Sequence, residues 1–142
     1  MKYSEIKQII EFCEEYAIDR REVINNIISE EEDFNVDDYR FIHQDDIDKI
    51  QVDELQSDPY MLGCFNDWFI ADISNLSIDI IKALQEAEKY EAIGEYIIDN
   101  NLTEELQSEY SRLDGYGHHF AAYDGNTMED LYNLGYYVFR TN

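Results

Sequence analysis

Carboxylates are the reactive groups this sequence supplies most freely, and their spacing decides what they can do. Thirty-three Asp and Glu stand against ten Lys and Arg, a formal net charge of -23 over 142 residues. Glu30, Glu31, Glu32 and Asp33 are consecutive, Asp37 and Asp38 follow, and Asp45, Asp46 and Asp48 come next. No cation lies between Lys49 and Lys82, nor between Lys89 and Arg112, a stretch that holds Glu91, Glu95, Asp99, Glu104 and Glu105. An ordinary solvated helix face intersperses Lys with Glu, because pairs four residues apart support the helix. Here the lysines are mostly omitted. Glu88, Glu91, Glu95 and Asp99 follow three- and four-residue spacing and are expected on one helix face, with carboxylates about 5–6 Å apart along the axis. Such an array does the work of a polyanion: it attracts and holds a cationic surface.

Other chemistries find no support. Asp45-Asp46-Ile47-Asp48 lacks the calcium-loop spacing with its central glycine and terminal Glu, and reads as a solvated acidic turn. Neighbouring His118 and His119 point to different faces, so they and His43 read as turn or surface histidines. There is no Walker loop, no G-x-G-x-x-G, no G-x-S-x-G and no zinc cysteine pair. The expectation is a non-enzyme with no catalytic residue, no cofactor and no metal. Twelve Tyr, seven Phe and one Trp provide aromatic surface, but a single-strand binding platform also needs a positive groove. Direct nucleic-acid binding is therefore not expected. Cys13 and Cys64 sit beside Phe12 and Phe65 and read as reduced core thiols. The charged start has no secretory pattern, no apolar run approaches the roughly 18 residues of a membrane span, and an anionic membrane would repel the chain. A cytoplasmic protein is expected.

The elements that must carry the acids can be read from apolar spacing. Hydrophobic residues make up 44%, too many for a disordered acidic tail. Ile6, Ile9, Ile10 and Cys13 mark a helix over 3–16. Asp19 is placed to cap a second one with Val23, Ile24, Ile27 and Ile28 buried, ending in the four acids from Glu30, where they would oppose the helix dipole. Residues 34–43 suggest an extended segment, and Asp45 to Leu55 a short helix over Ile47 and Ile50. Ser57-Asp58-Pro59 starts a helix bearing Leu62, Phe65, Trp68, Phe69 and Ile73. Ser77 or Asn75 caps the next, with Ile78, Ile81 and Leu84, which runs or kinks through Ile93 and Ile97. Thr103 opens a helix ending near Leu113. Met128–Tyr132 and Tyr136–Arg140 read as strands of a C-terminal hairpin around Gly135. The expected fold is α+β and predominantly helical: amphipathic helices packed with a small antiparallel component. It is expected as one acidic domain over 1–142, or as two closely packed sub-lobes of about 1–56 and 57–142.

Patches of the chain resemble the ArdA-type antirestriction proteins. Tyr110-Ser111-Arg112-Leu113-Asp114-Gly115-Tyr116-Gly117-His118-His119-Phe120 is similar to that family's C-terminal segment. Gly135-Tyr136-Tyr137-Val138-Phe139-Arg140 is similar to its closing strand. Glu32 to Tyr39 and Ala92 to Ile98 resemble family segments further upstream. The chain departs in carrying His118-His119 where the family usually has Arg-Asp, and in opening with two amphipathic helices. The resemblance implies a DNA mimic acting in a bacterial host: a carboxylate array that occupies the basic DNA-binding groove of a restriction or CRISPR-type protein, with a homodimer as one assembly.

The excess of charge points to the same class independently. Solubility needs a net charge of only about 2–8 in magnitude, and self-repulsion at the observed density opposes folding. Function and halophilic adaptation are the two sources of such an excess. The contact residues expected from the runs and the helical row are Glu30, Glu31, Glu32, Asp33, Asp37, Asp38, Asp45, Asp46, Asp48, Glu88, Glu91, Glu95, Asp99, Glu104 and Glu105. An immunity protein that blocks a basic nuclease toxin is the alternative, and an acidic chaperone for a basic protein comes third.

Overall fold

A computed structural model describes every residue, Met1–Asn142. The chain is mostly helical, with nine α-helices, a short 3-10 helix and one three-stranded antiparallel sheet. It divides into two compact units: Met1–Ile47 together with Asp114–Asn142, and Asp48–Leu113. Whereas 1–56 and 57–142 would be consecutive pieces, these units are nested, because the last strand of the chain returns to pair near residue 40.

The first unit opens with α1 (Tyr3–Tyr16) and α2 (Arg20–Ile28). The Asp19 carboxylate accepts the N–H groups of Arg21 and Glu22 at 3.0 and 3.2 Å, satisfying donors the first turn leaves open. Ile9, Phe12, Cys13, Val23 and Ile27 are buried together. Ile28, expected in that stripe, is exposed, since the helix ends there and Ser29 caps it. Glu30 takes a left-handed conformation (φ 57°) and Asp33 opens a strand. The four acids therefore follow the last turn of α2 instead of lying in it, and the N–H groups of Glu30 and Glu31 close that helix end on the carbonyls of Ile27 and Asn26 at 3.1 Å each.

Strands β1 (Asp33–Val36) and β2 (Tyr39–His43) form a hairpin where a single extended segment was expected, and β3 (Tyr136–Arg140) completes the order β1-β2-β3. Phe41 lies opposite Phe34 on one side and Val138 on the other. These residues share the core of α1 and α2. The opposite sheet face meets α9 (Tyr116–Phe120), with the Phe120 and Phe139 rings 5.1 Å apart. The C-terminal strand is where the sequence put it. The arm expected beside it is reduced to one bridge, Met128 to Val138, and Tyr132–Leu134 winds into a 3-10 turn ended by Gly135 at φ 99°. Leu131 is fully buried in the core of this unit, and the full ladder of β3 runs along its other edge, with β2.

The second unit contains α3 (Ile47–Gln56) from Asp48 on, α4 (Pro59–Gly63), α5 (Asp67–Ser74), α6 (Ile78–Glu86), α7 (Tyr90–Asp99) and α8 (Thr103–Asp114) up to Leu113. Asp58 caps α4 by accepting the Met61 N–H at 3.1 Å, and Pro59 occupies the first turn. Leu55, Leu62, Ile70, Ile81, Ile97 and Leu106 are fully buried in its core. The helix expected to run from Leu62 to Ile73 is broken at 64–66. There the Gln85 amide donates to the carbonyls of Gly63 and Phe65 at 3.0 and 2.9 Å, taking acceptors that a continuous helix would use. Trp68 is consequently 49% exposed rather than buried, while Phe65 and Leu84 pack half-buried against the core. No helix is long and apolar enough to cross a membrane.

Candidate functional site

Both units share the negative charge. The first carries eighteen acids against six cations, a net of -12, and the second fifteen against four, a net of -11. Of the expected contact residues, Glu30, Glu31, Glu32, Asp33, Asp37, Asp38, Asp45 and Asp46 belong to the first unit. Asp48, Glu88, Glu91, Glu95, Asp99, Glu104 and Glu105 belong to the second. All are exposed except Asp46, which is half-buried.

Four of these carboxylates hold the protein's own structure. Asp33 receives the Arg40 guanidinium in two parallel hydrogen bonds of 2.8 and 2.7 Å. Asp37 accepts the Asp19 N–H at 2.9 Å and ties the hairpin turn to the cap of α2. Asp38 accepts the Asn142 amide at 3.3 Å, and its carbonyl takes the Thr141 N–H at 2.8 Å. Asp48 accepts from Gln107 Nε2 at 2.8 Å. As partner contacts these four are weaker candidates than their spacing suggested: Asp33 has both oxygens committed to Arg40, and Asp37, Asp38 and Asp48 each have one oxygen committed within the protein.

Other acids gather in two open clefts and one row. In the first unit a cleft of about 580 Å³ is lined by Glu30, Glu32, His43, Asp45, Asp46 and Tyr136. His43 Nδ1 accepts the Asp45 N–H at 3.2 Å, which puts the proton of the neutral ring on Nε2. The Asp45 and Asp46 carboxylates stand 3.8 and 3.7 Å from Nδ1. Tyr136 donates its hydroxyl to the Glu31 carbonyl at 2.6 Å. Burial, then the charges of Glu30, Glu31 and Asp46, pushes its phenol above the usual range. Sequence spacing did not bring His43 and Tyr136 to this cleft, since 93 positions separate them and only the β2–β3 pairing joins them.

In the second unit a cleft of about 450 Å³ lies between α3 and α8, lined by Asp48, Lys49, Asp53, Gln56, Glu104 and Gln107. Asp53 was not among the expected contacts. The row on α7 has three members, Glu91, Glu95 and Asp99, four residues apart. Glu88 does not share that helix face: it precedes the helix in a left-handed conformation at φ 58°. Cations neutralise little of this field. Lys7–Glu11 (4.0 Å), Arg20–Glu14 (3.5 Å) and Arg112–Glu109 (2.7 Å) are solvated surface pairs, of a kind that contributes little to stability.

Such surfaces accept hydrogen bonds from guanidinium and ammonium groups, and the charge-assisted form is the strong one. No three His, Cys, Asp or Glu side chains are arranged to hold a metal ion. No family model, no curated protein and no solved structure matches the chain.

Proposed function

We propose that the protein is a DNA mimic that inhibits a host defence nuclease or restriction-modification enzyme by presenting its carboxylates to a DNA-binding groove, and that it is not an enzyme. The observation that carries this reading is the even split of charge, -12 and -11 over two separately packed units. A single acidic patch suffices to plug one basic site. Charge spread over the whole chain suits an extended basic surface that otherwise holds a polyanion with one charge per roughly 1.7 Å of axis. The resemblance to ArdA-type proteins supports the same class, and the segments that carry it come from both units.

The test is competition. Binding to a type I restriction enzyme or a CRISPR effector is expected to exclude duplex DNA and to weaken as salt rises. Glu91→Gln alone has little effect, because a field is recognised. Joint replacement of Glu91, Glu95, Asp99, Glu104 and Glu105 by their amides lowers affinity by about ten-fold or more with helical content unchanged. Undiminished binding under saturating duplex DNA overturns the reading. The second reading, an immunity protein against a basic nuclease toxin, draws support from Tyr96, 38% exposed directly beside Glu95. It expects one or two such residues to carry most of the binding energy.

A further inference from the structure

An apolar pocket adjoins the acidic row of α7. Helices α5, α6 and α7 enclose about 140 Å³ lined by Leu76, Ile81, Leu84, Ala92, Tyr96 and Ile97 among others. The hydroxyl of Ser74 on its wall accepts the Leu76 N–H at 3.2 Å. Ala92 and Tyr96 are exposed and one helical turn apart, and they form the rim, with half-buried Leu84 on the wall contributed by α6. Apolar cavities of about 150 Å³ stay dry and take up a benzene-sized group. Glu95 and Asp99 stand three positions beyond Ala92 and Tyr96 on α7, the spacing of neighbours on a helix surface, so the carboxylate strip and the mouth adjoin. From Ile78 to Asp99 the chain carries Asp79, Glu86, Glu88, Glu91, Glu95 and Asp99 against Lys82 and Lys89.

We infer that this pocket receives an apolar side chain projecting from the basic, DNA-binding surface of the target, while the neighbouring carboxylates take the Lys and Arg around it. The inference rests on the DNA-mimic reading and adds a specific contact to it. The occupant is set by charge and size. Six acids against two cations select a basic surface, and the volume and lining select one side chain of about the size of Leu, Ile, Met or Phe. DNA-binding surfaces carry such groups among their cations: apolar side chains touch thymine methyls, and Leu, Ile, Met or Phe wedges enter between base steps. Imitation then extends from the phosphates to the step that a wedge opens. The pocket is already open, so the wedge enters without the unstacking that duplex DNA requires.

The test is an amide-resolved NMR titration of the full chain with the peptide Lys-Arg-Lys-Leu-Lys-Arg-Lys and two controls, one with Asn for the Leu and one with Glu for every cation. Shifts are expected to centre on Leu84, Ala92 and Tyr96, with the Leu peptide binding about ten-fold or more tightly than its Asn control and the Glu control not binding. Ala92→Trp, made at an exposed helical position, is expected to abolish the preference for Leu and to leave affinity for the Asn peptide unchanged. Equal affinity for the Leu and Asn peptides overturns the inference, because charge alone then explains binding. Binding of the Glu control overturns it in favour of a site for uncharged apolar ligands. A Leu preference in a protein that fails to displace duplex DNA overturns the mimic reading alone. Displacement of DNA without a Leu preference overturns the pocket alone.

Discussion

Arg40 stands on the central strand with its guanidinium forked onto Asp33 and 5.1 Å from the centre of the Phe120 ring. Both partners are partly shielded from water, with side-chain exposures of 19% and 32%, so this pair differs in kind from the surface pairs. Arg40→Ala strips a carboxylate of two charge-assisted bonds and is expected to destabilise by about 1.5–3 kcal/mol in urea melts. Lys7→Ala is expected to change nothing measurable. Cys13 makes a second residue-scale prediction. Burial, reinforced by Asp19 and Asp37 and opposed by Arg20, pushes its thiol from 9.0 up to about 11. Burial likewise raises the Tyr16 and Tyr136 phenols above 10.0. Groups raised in the folded state hold their protons more firmly there than when unfolded. Their contribution is therefore complete below the unfolded values of 9.0 and 10.0 and is lost as pH rises through the folded ones. Melting temperature is expected to fall on raising the pH from 9 to about 11, and Cys13→Ala removes the earliest part of that fall. A thiol reagent at about pH 8 is expected to modify exposed Cys64 and spare Cys13 until the protein unfolds.

Helices α4 and α7 touch backbone to backbone. A Cβ added at Gly63 would lie 1.8 Å from the Tyr90 carbonyl oxygen, and one at Gly94 would lie 1.8 Å from that of Pro59. Neither oxygen can swing aside, so Gly94→Ala must separate the helices and is expected to lose at least about 1–3 kcal/mol. Trp68, the only tryptophan and a member of the second unit, reports that loss by fluorescence. Apolar spacing made α1 and α8 readable, and α2 doubly so, because its spacing and its Asp19 cap agree. The sequence hid the breaks because six non-glycine residues adopt positive φ, among them Ala17, Glu30, Asp37 and Glu88. These positions end helices or turn the hairpin where a glycine would have announced the bend. The exposure of Trp68 has a different origin: the break at 64–66 contains no positive-φ residue, Gln85 holds it from a distant helix, and helical phase cannot be carried across it. The exposure of the acids was legible, because charged side chains stay in water. Which of them serve as internal ligands was not: Asp38 and Asp48 meet Asn142 and Gln107, 104 and 59 residues away.

On the scale of the molecule, a net charge of -23 acts on the compact state as well as on partners. Bringing the carboxylates together opposes folding, and salt screens that repulsion with a Debye length of about 10 Å at 0.1 M. Melting temperature is expected to rise from low salt to moderate NaCl, the reverse of the expected effect of salt on binding. A flat curve would show the carboxylates to be compensated locally. Opposite salt slopes for stability and affinity distinguish a protein shaped to present charge from one whose charges are spent on internal pairs.

The nesting of one unit within the other also bears on how the chain is made. Phe41 must wait for Val138, 97 residues downstream, before the central strand gains its second neighbour. At about 5–20 residues per second a ribosome delivers that neighbour some 5–20 s later. In that interval Asp48–Leu113 is contiguous and can complete its own core, while β2 keeps open the edge that β3 later fills. The nascent first unit thus carries an unpaired strand edge for those seconds, and its negative charge opposes pairing of that edge with another copy.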